Sequence, residues 1–393
     1  MDEPTPSRRR LLGALGVAGL GGLAGCMGYQ GRSGGATPTE PPGTPTPVAT
    51  TGPGGVELPV PRSELVRGAG KDAIPAITEP AFGTDWEGIS FEAHHPAAGQ
   101  YTANPRLGEG DWVVGIERDG EARAYPLLVL NWHEVVNDEF GGPLLVTYCP
   151  LCGSAMAAER RVDGEETVFG VSGLLYKNDL VMYDEKTGSL WSQIMATAIN
   201  GPRTGERLSL VPAALTTWGE WKAEYPDSLV LRPPPESNTV VGRHATRDYD
   251  RNPYAGYTSS RQIGIGGEYD DERLHPKTQV IGVATEDAAR AYPLDAVLRA
   301  GVVNDTVGDR PVVVTTHGEA SLVAYIRTVD GETLTFERDG DSLVAGGSRW
   351  NPATGVALDG PHEGTRLEPA NDVSPMFFFA WKEFRPETSV YGA

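Results

Sequence analysis

Cysteine, lysine and long apolar runs are all scarce in this 393-residue chain, which has three cysteines and six lysines. Three thiols cannot build a disulfide-stapled scaffold or a four-cysteine zinc cluster. No stretch reaches the roughly 20 apolar residues of a membrane span. Signatures of common chemistries are missing too. GVSGL around Ser172 is not GxSxG, GIGGEY at Gly264 lacks the dinucleotide spacing, and there is no P-loop. Positive charge is outweighed, with 33 basic against 53 acidic residues and a net charge of -20. That balance argues against nucleic acid or an anionic membrane surface as partner. An acidic surface that keeps arginine but little lysine resembles proteins of salt-loving, halophilic archaea.

What is present begins with an address. Arg8, Arg9 and Arg10 precede an apolar run from Leu11 to Ala24, too short for a span and suited to a signal peptide. Paired arginines there resemble a twin-arginine export signal, and Leu23-Ala24-Gly25-Cys26 resembles a lipobox. Residues 1–26 thus read as a lipoprotein signal ending at Cys26, whose thiol would carry lipid. Residues 27–56, rich in Pro, Thr and Gly, read as a disordered tether. The expected location is extracytoplasmic, on the outer face of the cell membrane, with the membrane as partner through lipid on Cys26.

The rest repeats itself. RLGEGDWVVGIERDGEARAYPLLVLNWHEVVND begins at Arg106 and RLHPKTQVIGVATEDAARAYPLDAVLRAGVVND at Arg273. One offset also aligns Val162-Asp163-Gly164-Glu165 with Val329-Asp330-Gly331-Glu332, and Phe169 with Phe336. This predicts two copies of one unit, 57–240 and 241–393, the latter including a linker arm, RDYDRNPYAGY from Arg247. Asp119-Gly120, Asp163-Gly164 and Lys186-Thr187-Gly188 punctuate apolar-rich runs as hairpin turns. Helical spacing is confined to Leu127–Val136 and Leu215–Glu224. The expected fold is strand-rich α+β, two antiparallel units packed with pseudo-symmetry. Asn137 and Asp138, shared with the second copy, read as cap and turn residues.

Shared residues read as scaffold, and unshared ones as candidates for chemistry. Trp132-His133 becomes Arg299-Ala300, and TYCPLCGSA gives way to a stretch with His317 near the place of Cys149 and Ala320 near that of Cys152. Two thiols spaced CxxC can bind one soft metal ion or form a reversible disulfide. With His133 as third ligand, Cys149 and Cys152 form a Cys2His set with an open position, suited to a copper or zinc ion, copper before zinc. His94 and His95 are weaker candidates. In SGLLYKNDLVMYDEKTGSLWSQ, the residues Tyr176, Asn178, Asp179, Trp191 and Gln193 could wall a pocket for an unknown small ligand. Asp179 could orient a histidine or join the catalytic pair. The leading expectation is a soft-metal or metal-dependent redox site. Two alternatives stay open: a metal-free thiol-disulfide oxidoreductase, and a surface binding module with a structural CxxC disulfide.

With TYCPLCGSA, SGLLYKNDLVMYDEKTGSLWSQ, DYDRNPY and the Trp221-Lys222 helix, the chain from about Phe82 to its end resembles domain of unknown function 3179, a family of exported archaeal and bacterial proteins. The resemblance implies extracytoplasmic location and makes the CPLC and SGLLYKNDL-to-LWSQ stretches characteristic. It selects no reaction.

Overall fold

In the computed structural model, residues 49–95, 99–318, 321–371 and 374–393 are described. The signal and most of the tether lie outside them, as does Ala320. Ordered pairing starts ahead of the boundary expected at 57. Thr50–Thr51 pairs with Glu57–Leu58, because Val56 and Leu58 are apolar enough to be buried there.

The chain is strand-rich α+β, with antiparallel pairings dominating its sheets. In the first copy, Trp112–Arg118 and Glu121–Pro126 form a hairpin whose turn, Asp119-Gly120, has φ of 54° and 82°. Positive φ at both turn residues matches the right-handed twist of the flanking strands. Helix α1, Leu127–His133, follows, then the strands Val135–Glu139, Pro143–Cys149 and Ser154–Glu159 in one antiparallel ladder. A second ladder runs Phe169–Tyr176, Asp179–Asp184, Leu190–Ser192, Thr197–Asn200. Helix α2, Trp218–Glu224, closes the copy, its first turn capped by Thr217.

The order recurs in the second copy: Gln279–Ala284, Ala289–Pro293, helix α3 at Leu294–Ala300, Val302–Val307, Arg310–His317, Ser321–Ile326 and helix α4 at Phe378–Phe384. Its last ladder has lost a strand, leaving Glu337–Asp339, Ser342–Ala345 and Ser348–Trp350. Each α-helix has seven residues, too short to hold alone, so packing must fix it. Gly115 faces the Trp221 ring, and Gly282 the Trp381 ring, with room for a hydrogen only. Trp221 Nε1 donates to Ser228 Oγ and Trp381 Nε1 to Thr388 Oγ1, each at 2.8 Å.

The shared motifs are explained by these contacts, with one correction. Asn137 and Asp138 do not cap or turn; they lie inside the strand Val135–Glu139, nearly buried. Asp138 receives Arg123 at 2.7 Å and the Tyr125 hydroxyl at 2.6 Å, while Asp305 receives Arg290 at 2.5 Å and Tyr292 at 2.9 Å. Asn137 exchanges hydrogen bonds with the backbone of Phe169, and Asn304 with that of Phe336. RAYPL and VVND recur because the Arg and Tyr of one clamp the Asp of the other. The expected helix Leu127–Val136 is shorter for the same reason: Val135 and Val136 are drawn into the ladder. Leu215 likewise sits in a strand, Ala214–Thr217, ahead of α2.

Candidate functional site

The apolar run Pro143–Cys149 is buried along its whole length, and it delivers Cys149 to the end of the ladder. A tight turn then brings Cys152 back. Cys152 N and Gly153 N both donate to Cys149 O, at 3.1 and 2.8 Å. Gly153 has φ 63°, and a Cβ there would meet the Phe377 ring at 2.9 Å, so only glycine passes the chain at this point. The Lys177-Asn178 hairpin turn, with φ of 50° and 62°, presents Asp179 from the neighbouring ladder. The Cys149 and Cys152 sulfurs and a carboxylate oxygen of Asp179 lie within 4.8 Å of one another. Both thiols are free.

All three groups are buried. Asp179 Oδ2 accepts from Ser192 Oγ at 2.6 Å and from Ile194 N at 3.2 Å. Its Oδ1 meets no hydrogen-bond partner among the described residues. Desolvation pushes the Asp179 carboxyl up to about 7, against the pull of those hydrogen bonds. Burial also pushes the Cys152 thiol well up, with Cys149 and Asp179 adding to it, and Cys152 Sγ points to Asn178 O at 3.3 Å. Two thiols and a carboxyl whose burial favours its protonated form therefore lie together, and one oxygen of that carboxyl has no partner among the described residues.

His133 does not join them. It ends α1 with its ring buried, Nδ1 2.7 Å from Pro75 O and Nε2 2.9 Å from the Tyr249 hydroxyl. Both ring nitrogens are thus committed to holding the linker arm at Tyr249 and the segment around Pro75, and desolvation lowers the imidazole to about 4. The side chains that could share an ion are therefore Cys149, Cys152 and Asp179, without His133. His94 is in the strand Phe91–His95, and the side chains of both His94 and His95 lie outside the described residues. His317 does correspond to Cys149: Cys149 lies two residues beyond Thr147, the partner of Val135, and His317 two beyond Thr315, the partner of Val302. Its ring reaches Glu224, 3.3 Å away, so it supplies no cross-copy ligand.

The expected pocket wall divides. Trp191 is fully buried, donates to Asp184 Oδ2 at 2.9 Å and packs on Phe169; it holds the hairpin and has no face for a ligand. Gln193 is buried as well, bonded to Thr147, Ser154 Oγ and Ser154 O. Tyr176 packs edge-on to Phe384, and Asn178 donates to Glu383 Oε1 at 3.2 Å, so these two meet α4 of the second copy. Phe377 N donates to Cys152 O at 2.8 Å. The second copy therefore closes one side of the first copy's sulfurs.

The connector closes another side, through residues outside the expected site. The Tyr257 hydroxyl donates to Leu151 O, between the cysteines, at 3.0 Å, and accepts from Gly264 N at 2.9 Å. Behind it lies Glu134, which is 6% exposed and has φ 57°, ψ -31°. Such a backbone costs a residue other than glycine on the order of 1–3 kcal/mol. Desolvation raises the Glu134 carboxyl to about 8. One signal for Glu134 was in the repeat, where the second copy has Gly301 at the same offset.

The family described as Protein of unknown function (DUF3179) matches residues 71–388, and the chain belongs to it. No curated protein matches the chain, and no solved structure does.

Proposed function

We propose that Cys149, Cys152 and Asp179 hold one thiophilic metal ion, zinc before copper, in a protein anchored to the outer face of the membrane. The observation that carries this reading is the orphaned Oδ1 of Asp179, buried beside two sulfurs at ligating separation. A cation satisfies that oxygen and lets Cys152 ionise, which burial otherwise opposes. Replacing an imidazole by a carboxylate makes the donor set harder, which favours zinc over Cu(I). Three protein ligands leave the fourth position of a tetrahedral ion free, the pattern of sites that bind a substrate or pass the ion on.

The test is metal analysis of protein purified without oxygen. About one equivalent of zinc or copper should be retained by the native chain and lost in Cys149→Ser. Less than about 0.1 equivalent in the native chain ends the reading.

A second reading, a metal-free dithiol couple, has one observation in its favour: Asp179 stands where it could take a thiol proton as one sulfur attacks the disulfide of an oxidised partner, which leaves as two thiols when the second cysteine closes the bond. It requires a reversible disulfide with the metal absent. Among the described residues no helix is long and apolar enough to cross a membrane. The lipobox-like Leu23-Ala24-Gly25-Cys26 is what supports anchoring through Cys26, and Cys26→Ser should move the protein from the membrane to the soluble fraction.

A further inference from the structure

The sulfur site is shut. Cys149, Cys152 and Asp179 are each no more than 1% exposed, so an ion or a reagent reaches them only when part of the fold moves aside. The segments packed around it differ in how they are held. The Lys177-Asn178 hairpin belongs to a ladder, and Phe377 to a strand paired with Gln279. The connector has no such hold: among the described residues none between Val240 and Thr278 belongs to a helix or strand, and the bridge of Ile263 with Gly267 is internal. Most of its residues from Arg251 to Gly267 are exposed. Segments of that kind open at the smallest cost in free energy.

Its attachments are specific. The Tyr257 hydroxyl donates to Leu151 O at 3.0 Å and accepts from Gly264 N at 2.9 Å, and the ring packs on the apolar cluster that contains both cysteines. Gly264, at φ 52°, lies so close to the Asn178 side chain that a Cβ there would overlap its Oδ1, and Asn178 O is the acceptor of Cys152 Sγ. Lys277 fastens the loop from its far end. It is 6% exposed, its Nζ donates to Ser260 O at 2.7 Å and to Gln262 O, and that nitrogen stands 4.2 Å from the centre of the Tyr257 ring. Lys277 is itself fixed to the second copy, because Phe378 N and Phe379 N donate to Thr278 O and Pro276 O, the carbonyls on either side of it, at 2.9 and 3.0 Å. An ammonium buried there depends on the loop carbonyls, and the loop on the ammonium.

We propose that the connector segment from Tyr257 to Gly267 is a strap that opens as a unit to load the sulfur site, with Tyr257 as its seat on the CPLC turn and Lys277 as its latch. The inference rests on Cys149 and Cys152 being the working groups, and adds how a closed site admits an ion or a small thiol-reactive molecule. Whether the ligand is a metal does not enter.

The experiment follows iodoacetamide alkylation of reduced, metal-free protein at one neutral pH, in increasing urea below the unfolding transition. In the native chain the rate should be nearly flat with urea, since lifting a loop exposes little surface. Tyr257→Phe and Gly264→Ala alter no charge beside the thiols, and each should speed alkylation without urea by roughly tenfold; Lys277→Met should do at least as much. Gly115→Ala weakens the fold through the Trp221 ring of α2 and should leave that rate unchanged. A rate that climbs with urea along the slope of global unfolding, or that Gly115→Ala raises as much as Tyr257→Phe does, means the thiols are reached by unfolding of the whole chain and overturns the proposal. Unchanged rates in Tyr257→Phe and Gly264→Ala overturn it as well. Because the readout needs no metal, a chain that retains no zinc ends the metal reading and leaves this test intact, while zinc retention with a urea-dependent rate sinks this inference alone.

Discussion

Replacing Asp179 by Asn should stabilise the metal-free protein at alkaline pH and abolish its metal site. The carboxyl sits at about 7 in the folded chain, because burial outweighs the hydrogen bonds to Oδ2. In the unfolded chain it returns to about 3.9. A gap of about 3 units at 1.36 kcal/mol each is about 4 kcal/mol. The sign follows from proton uptake: the folded state holds the proton more tightly, so this contribution is full below about pH 4, falls as pH rises, and is gone above about 7. An asparagine keeps acceptors for Ser192 Oγ and Ile194 N, and turns its amide nitrogen toward the place of Oδ1. Urea unfolding of reduced, metal-free protein should therefore find Asp179→Asn more stable than the native chain by about 2–4 kcal/mol at pH 8, and nearly equal at pH 4.5. Glu134 titrates in the same direction, and because the Asp179 charge adds to its raised pKa, losing that charge in the variant shifts the pH 8 difference in the same sense. Zinc at 100 times its Kd should return about 2.7 kcal/mol to the native chain alone. An Asn variant that is less stable at pH 8, or whose difference is the same at both pH values, refutes the reasoning, since the buried carboxylate would then carry no uncompensated charge.

His133→Leu should lose about 2–4 kcal/mol of stability, because Pro75 O and the Tyr249 hydroxyl lose their partner, yet keep its metal; loss of metal at unchanged stability would restore the imidazole as a ligand. A Cβ at Gly115 would meet the Trp221 ring at 2.4 Å, and one at Gly282 the Trp381 ring at 2.4 Å. Gly115→Ala and Gly282→Ala should thus each cost about 2–3 kcal/mol in urea unfolding. If either were tolerated, the two tryptophans would not be held alike.

The duplication made much of the fold legible. The Asp163-Gly164 turn and the RAYPL strand follow from a fixed offset, while the match of Cys149 to His317, one residue off that offset, follows from ladder register. The Lys177-Asn178 turn brought Asp179 beside the sulfurs, but its sequence does not say which ladder lies opposite. His133 failed as a ligand because seven residues of helix fix the ring's direction, and that direction depends on Pro75 and Tyr249, far away in sequence. Trp191 and Gln193 have the composition of a ligand wall, yet Asp184, Thr147 and Ser154 satisfy them internally. Glu134 was visible only as a difference from Gly301, and its meaning required φ.

X-ray absorption at the zinc edge of the loaded protein tests the central claim most directly. The account predicts two sulfurs at about 2.3 Å and oxygen at about 2.0–2.2 Å, with no imidazole pattern, and one oxygen fewer in Asp179→Asn. A spectrum without sulfur, or with histidine as the third protein ligand, would contradict it.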